Sequence, residues 1–393
     1  MISKKMENIG SNVSSIRKLF EYGRKKALEI GNENVFDFSI GNPSTPAPQE
    51  VNDAIIEIIQ NEDMINVNSY TSAAGDKDVR NTIAASLNKR FGTQYKGDHL
   101  FMCSGAAPAL VACFRALIVN ENSEIIAIAP YFPEYKVFVE GNGGKLIILP
   151  PDIPNFQINF DALIDNINEN TQAIIVNSPN NPSGVVYSED TIKRLVGVLK
   201  EKSEELGHPI YLLSDEPYRE LVYGDTLVPW IPDFYDNTIV CYSYSKSLSL
   251  PGQRIGWILV PEGIMEREDV WAAIIGGARV CGHVCASSLY QRVIAKCIDI
   301  RPNLTIYQRN RDLLYTKLSE MGYRCAKPEG AFYLFLQAPD GDAAAFSERA
   351  KELGLLITPG GEMGCPSYLR ISYCVQTEQI ECALPLFKKL FSK

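Results

Sequence analysis

Short, nearly unbroken apolar runs recur along the chain, separated by stretches in which apolar residues return every three or four positions. Residues 100–103, 124–130, 145–149, 172–176, 210–213, 238–242 and 255–260 form such runs. Their apolar, β-branched and aromatic content predicts buried strands. Helical patterns lie between them: Val51, Ile55, Ile58 and Ile59 behind Pro48; Val79, Ile83 and Leu87 closed by Gly92; Leu110, Phe114 and Leu117 behind Pro108. Residues 303–321 read as a long helix, and Leu289, Val293 and Ile294 mark another. Nearer the amino terminus, Ser14 and Ser15 suit the cap of a helix carrying Ile16, Leu19, Phe20, Ala27 and Leu28, closed by Gly31. Residues 35–40 alternate as a half-buried strand. Strands alternating with helices predict an α/β fold with a mostly parallel sheet. We place a large domain at residues 51–294 and a smaller α/β domain built from residues 1–50 and 295–393.

Composition narrows the classes. Hydrophobic residues are 46% and charged residues 22% of the 393, as in an ordinary soluble globular protein. A net charge of -9 argues against a nucleic-acid groove. No apolar run reaches membrane-spanning length, and the first residues lack the apolar core of a signal peptide. The 10 cysteines include no CxxC pair; Cys103, Cys113 and Cys241 lie in apolar runs and read as buried thiols. These features predict a cytoplasmic enzyme without metal, disulfide, membrane or nucleic-acid partner.

The candidate chemistry centres on Ser243-Tyr244-Ser245-Lys246, followed by Leu250, Gly252 and Arg254-Ile255-Gly256. Lys246 falls where a buried strand ends. There an amine loses hydration, its pKa falls, and it becomes a nucleophile able to form a Schiff base. Arg254 offers a planar cationic fork that suits a phosphate. Ser104-Gly105-Ala106-Ala107-Pro108 joins a strand to a helix start, which points free N–H groups at an anion or simply makes a tight junction. Asp215, at the end of an apolar strand, must be paired to be tolerated there.

The long gapped pattern around Lys246 resembles the lysine signature of the class I aminotransferases, fold type I enzymes that use pyridoxal 5′-phosphate. The resemblance runs from about Gly41 to Arg370 with the family's motifs in order. It implies that Lys246 holds the cofactor as an aldimine and then serves as general base. By the same resemblance Asp215 pairs with the pyridinium nitrogen, with Glu216 the alternative anion. Asn181 and Tyr218 take the phenolic oxygen. Phe132, with Tyr131 its rival, stacks on the ring. Gly105, Ala106, Ala107, Ser243 and Arg254 hold the phosphate, and Tyr70 reaches the phosphate of a neighbouring subunit, which implies a homodimer. Arg370 grips the substrate α-carboxylate, with Gly41 beside it. Arg279, in a Gly-Gly-Ala-Arg stretch expected to be a flexible loop, is either a solvated residue or the cation for a second carboxylate across the dimer. The implied reaction moves an amino group between an L-amino acid, aspartate or glutamate favoured, and a 2-oxo acid. Two alternatives share the motifs: a β-lyase using the same site, and a non-catalytic regulator, for which no basic recognition helix precedes Gly41.

Overall fold

The computed structural model describes residues 1–391. Its strands are β1 (Phe36–Asp37), β2 (Leu100–Cys103), β3 (Glu124–Ile128), β4 (Lys145–Leu149), β5 (Thr171–Asn177), β6 (Tyr211–Asp215), β7 (Thr238–Ser243), β8 (Gly256–Leu259), β9 (Tyr333–Gln337), β10 (Leu355–Leu356), β11 (Thr358–Pro359) and β12 (Tyr368–Ser372). Seven of them make one sheet in the order β2-β8-β7-β6-β5-β3-β4. β8 is antiparallel to both of its neighbours, and the remaining pairs are parallel.

Successive strand residues face opposite sides of a sheet, and here both sides are covered. Ile125 and Ala127 join a core with helices Ala106–Leu117 and Arg267–Val280, whereas Ile126 and Ile128 pack with helix Glu189–Leu206. That two-sided cover explains why the runs are continuously apolar. The parallel order brings the carboxyl ends of β2, β5, β6 and β7 to one edge, where ligands bind in such sheets.

A second core gathers β9, β12 and the helices Thr305–Glu320, Ala343–Glu352 and Thr377–Phe391. Here β11, β12 and β9 form an antiparallel sheet, and β1 pairs in parallel with β10. Tyr218, Leu221 and Tyr223, which follow β6, also pack in this core. They tie it to the large sheet: Ala331 N donates to Leu221 O at 2.8 Å, and Tyr223 N donates to Glu329 O at 3.0 Å. The Gly184 carbonyl accepts from both Glu329 N (2.8 Å) and Gly330 N (2.9 Å).

Two expectations are corrected. The strand expected over residues 35–40 shrinks to Phe36–Asp37, because Asp37 Oδ1 accepts from Ser39 N at 2.8 Å and Ser39 Oγ at 2.6 Å and turns the chain. The stretch around Arg279 is not a loop but the end of helix Arg267–Val280. Gly277 is there for close packing: a Cβ at that position would lie 2.5 Å from Ala112 O of the crossing helix. Among the described residues, no helix is long and apolar enough to cross a membrane.

Candidate active site

At the carboxyl edge of the sheet lies a cavity of about 330 Å³. One end is built for an anion. After β2 the chain passes through Gly105, whose φ of 100° an L side chain would resist, and enters helix Ala106–Leu117. Ala106 and Ala107 line the cavity beside the free N–H groups of that helix start. Arg254, at a left-handed φ of 51°, lies against this turn: a Cβ on Gly105 would stand 2.9 Å from its Nη2. Its Nη1 donates to Pro251 O at 2.9 Å. Ser243 ends β7 and caps the short helix that carries Lys246, accepting from Ser245 N at 3.2 Å, while the two hydroxyls pair at 2.7 Å.

The centre is set by the end of β6. Asp215 is buried, its Oδ2 accepts the Tyr135 hydroxyl at 2.5 Å, and its Oδ1 has no partner among the described residues. Burial raises its carboxyl to a pKa of about 7, partly offset by the Tyr135 hydrogen bond. Glu216 is spent elsewhere: it accepts from Arg219 Nη2 at 2.8 Å and from Ser214 Oγ at 2.7 Å. Phe132 faces the cavity, whereas Tyr131 is packed into the sheet core. Asn177 Nδ2 donates to Asp215 O at 2.9 Å, and its Oδ1 accepts from Asn181 N at 2.8 Å. Tyr218 shares a 2.9 Å hydrogen bond with the hydroxyl of Tyr333.

Lys246 lies on the wall between these groups, its Nζ donating to Gly41 O at 2.7 Å. Burial lowers its pKa to about 8, with the Arg254 and Arg370 charges adding to the effect. At the far end Arg370 comes off β12, buried, with Nη1 donating to Asn181 Oδ1 at 3.0 Å and Nη2 to Ser39 O at 2.5 Å. Its Nε has no partner among the described residues. The ring of Tyr333 lies 4.8 Å from the guanidinium. Gly41 is a close approach: a Cβ there would collide with the Tyr333 hydroxyl.

The structure thus gathers Gly41, Gly105, Ala106, Ala107, Phe132, Asn181, Asp215, Tyr218, Ser243, Lys246, Arg254 and Arg370 around one space. It does not bring Tyr70 or Arg279 there within one chain. Tyr70 is 95% exposed, and Arg279 is exposed in the last turn of its helix. Sequence reasoning passed over Tyr135, Asn177, Ser245 and Tyr333. Ser245 sits inside the lysine motif and was open to notice; Tyr135 gives no local signal, since nothing in a helical pattern shows which carboxylate its hydroxyl meets.

Comparison with known proteins identifies the family and the fold. Residues 33–385 match the family model described as aminotransferase class I and II. The chain is 30% identical over 385 residues to an aspartate aminotransferase of Bacillus subtilis, covering 94% of each. Among solved structures it is similar to an amino transferase of Eubacterium rectale, with a TM-score of 0.98, 51% identity, and coverage of 100% of this chain and 98% of that one. An aspartate aminotransferase of Thermotoga maritima superposes with a TM-score of 0.88 at 25% identity over 100% of both chains.

Proposed function

Because the chain belongs to the class I and II aminotransferase family, with the fold type I architecture and pyridoxal 5′-phosphate as cofactor, we propose that this cavity is its active site and Lys246 the residue that carries the cofactor. The observation behind the assignment is the position of Lys246: a half-buried lysine whose desolvated amine has a pKa of about 8, lining one cavity with the anion cup and with Arg370. The residues present fit the group. The unpartnered Asp215 Oδ1 suits a protonated ring nitrogen, and the Gly105 turn leaves a cradle that a Cβ would fill.

When bound, the cofactor supplies an electron sink for charge developing at the amino acid's Cα. The chain's own groups do the rest. The helix start at Ala106, the hydroxyls of Ser243 and Ser245, and Arg254 would hold the phosphate. Asp215 would pair with the ring nitrogen, and the Asn181 amide and Tyr218 hydroxyl would donate to the phenolic oxygen. Phe132, which lines the cavity, would cover one face of the ring. Arg370 takes the α-carboxylate in a two-pronged grip, which turns Cα toward Lys246. Lys246, more readily neutral than an ordinary lysine, accepts the Cα proton at Nζ.

We assign aspartate or glutamate as the favoured donor, supported by the aspartate aminotransferase relatives. Within one chain the cavity's cations are Lys246, Arg254 and Arg370, so a second carboxylate needs a cation from a partner. Our candidate is Arg279, in a homodimer that also sends Tyr70 to the neighbouring phosphate. We further propose a cytoplasmic enzyme whose large domain spans residues 51–294, with 1–50 and 295–393 forming the small one. Borohydride reduction of the holoenzyme and peptide mapping should place the pyridoxyl label on Lys246; label on another lysine overturns the assignment. Amino-group transfer to a panel of 2-oxo acids, with amine retained and no free ammonia, separates transfer from elimination.

A further inference from the structure

Tyr135 sits in the first turn of helix Glu134–Gly141 and is 1% exposed. A phenylalanine would fill the same apolar space, and a buried hydroxyl is costly unless it has a partner. Here the partner is Asp215 Oδ2, at 2.5 Å, while Oδ1 has no partner among the described residues and Asp215 lines the cavity. The other polar contact to Oδ2, from Asn177 Nδ2, is long at 3.5 Å. We propose that Tyr135 is a positioning residue for the cofactor's ring nitrogen, fixing the rotation of the Asp215 carboxylate and keeping it ionised so that the bare oxygen meets that nitrogen as an anion. This inference rests on the proposed pairing of Asp215 with the ring.

The choice of a phenol has a physical logic. Burial and the Asp215 charge push the Tyr135 hydroxyl well above its ordinary pKa of 10.0, so the proton stays on tyrosine and the carboxylate accepts. A neutral donor stabilises the carboxylate while leaving its negative charge in place. A lysine or arginine there would cancel the charge that the ring nitrogen needs. The other groups facing Asp215 do not supply this. Glu216, the next residue, raises its pKa, as burial does. Cys241 on β7 and Tyr218 are neutral groups whose own pKa values Asp215 raises. Asn177 on β5 donates mainly to the Asp215 backbone carbonyl.

The test is Tyr135→Phe, with Asp215→Asn in parallel, each prepared without cofactor and titrated with pyridoxal phosphate from pH 6.5 to 9. Removing a donor to a buried charge should weaken the dissociation constant of Tyr135→Phe about tenfold to a hundredfold at pH 7 relative to wild type. That ratio should shrink toward pH 9, where Asp215 ionises in either protein. In the holoenzyme the first-turnover rate should fall with little change in KM, and the melting temperature of the cofactor-free variant should stay close to wild type. Binding within twofold of wild type at pH 7, or a loss equally large at pH 7 and 9, overturns the proposal. The parallel variant separates the two readings: wild-type binding by Asp215→Asn defeats the Asp215 assignment itself, whereas weak Asp215→Asn beside normal Tyr135→Phe defeats Tyr135 alone.

Discussion

Replacing Lys246 by methionine tests the burial of its amine without reference to cofactor. Burial holds the Lys246 pKa at about 8 in the folded chain, against 10.5 for an ordinary lysine. Below pH 8 both folded and unfolded chains are protonated here, and folding bears the whole cost of burying the charge. Between 8 and 10.5 the unfolded chain holds a proton that the folded one has lost, so stability rises with pH. A difference of about 2.5 units at about 1.36 kcal/mol each makes that cost about 3 kcal/mol at pH 7. At pH 9.5, about one unit below the unfolded value, only about 1.4 kcal/mol remains. Methionine has a similar length and no charge, but it gives up the 2.7 Å bond to Gly41 O, worth about 1 kcal/mol. Cofactor-free Lys246→Met should therefore be more stable than wild type by about 2 kcal/mol at pH 7 and nearly equal to it at pH 9.5. Denaturant unfolding at both pH values, compared at equal slope, reads the difference. A gap that does not close with rising pH would refute the reasoning, because the lost hydrogen bond shifts both points alike and only the buried charge produces a slope.

Arg254→Ala should weaken cofactor retention through dialysis by about tenfold or more while leaving the fold intact, since one charge-assisted phosphate contact is lost; retention equal to wild type would count against the cup. Gly105→Ala places a methyl at a φ of 100° and 2.9 Å from Arg254 Nη2; a loss of about 1–3 kcal/mol in unfolding free energy should accompany weaker cofactor binding. Arg370→Lys replaces a planar fork by a point charge, so KM for the amino acid should rise about tenfold or more with cofactor affinity unchanged. Arg279→Ala should cut turnover of aspartate and glutamate while sparing alanine and aromatic donors; equal loss on all, or on none, rejects the dimer-borne cation.

Much of this was legible in the chain because the cofactor motifs sit where continuous apolar runs stop. A run such as β6 can end in Asp215 only if something balances the acid, and that logic needs no three-dimensional knowledge. The same holds for Lys246 behind β7 and for the glycine turn behind β2. What escaped depended on contacts between segments far apart in sequence. Tyr135 and Asp215 are separated by 80 positions, and Tyr218 and Tyr333 by 115. The misreading at Arg279 has a different origin. Two adjacent glycines signal a loop when local propensity decides, but Gly277 serves the crossing with Ala112, and tertiary packing overrides propensity. The shortened strand at Phe36–Asp37 is a third kind: a side-chain carboxylate competing for backbone donors.

The stitching of residues 218–223 into the second core limits how the molecule can be recombined. A hybrid made by grafting residues 295–393 of a relative onto this chain would keep Tyr218, Leu221 and Tyr223 from one parent and their packing partners Phe332, Leu334 and Leu336 from the other. The mismatch would fall on the Tyr218–Tyr333 hydrogen bond and the Leu221–Ala331 bond, beside the proposed phenolic-oxygen site. The unit that can be exchanged whole is therefore discontinuous. It must carry the β1 segment through Gly41 and the turn after β6 together with the carboxyl-terminal part, and shuffling libraries cut at a single point would lose the site before they lost the fold.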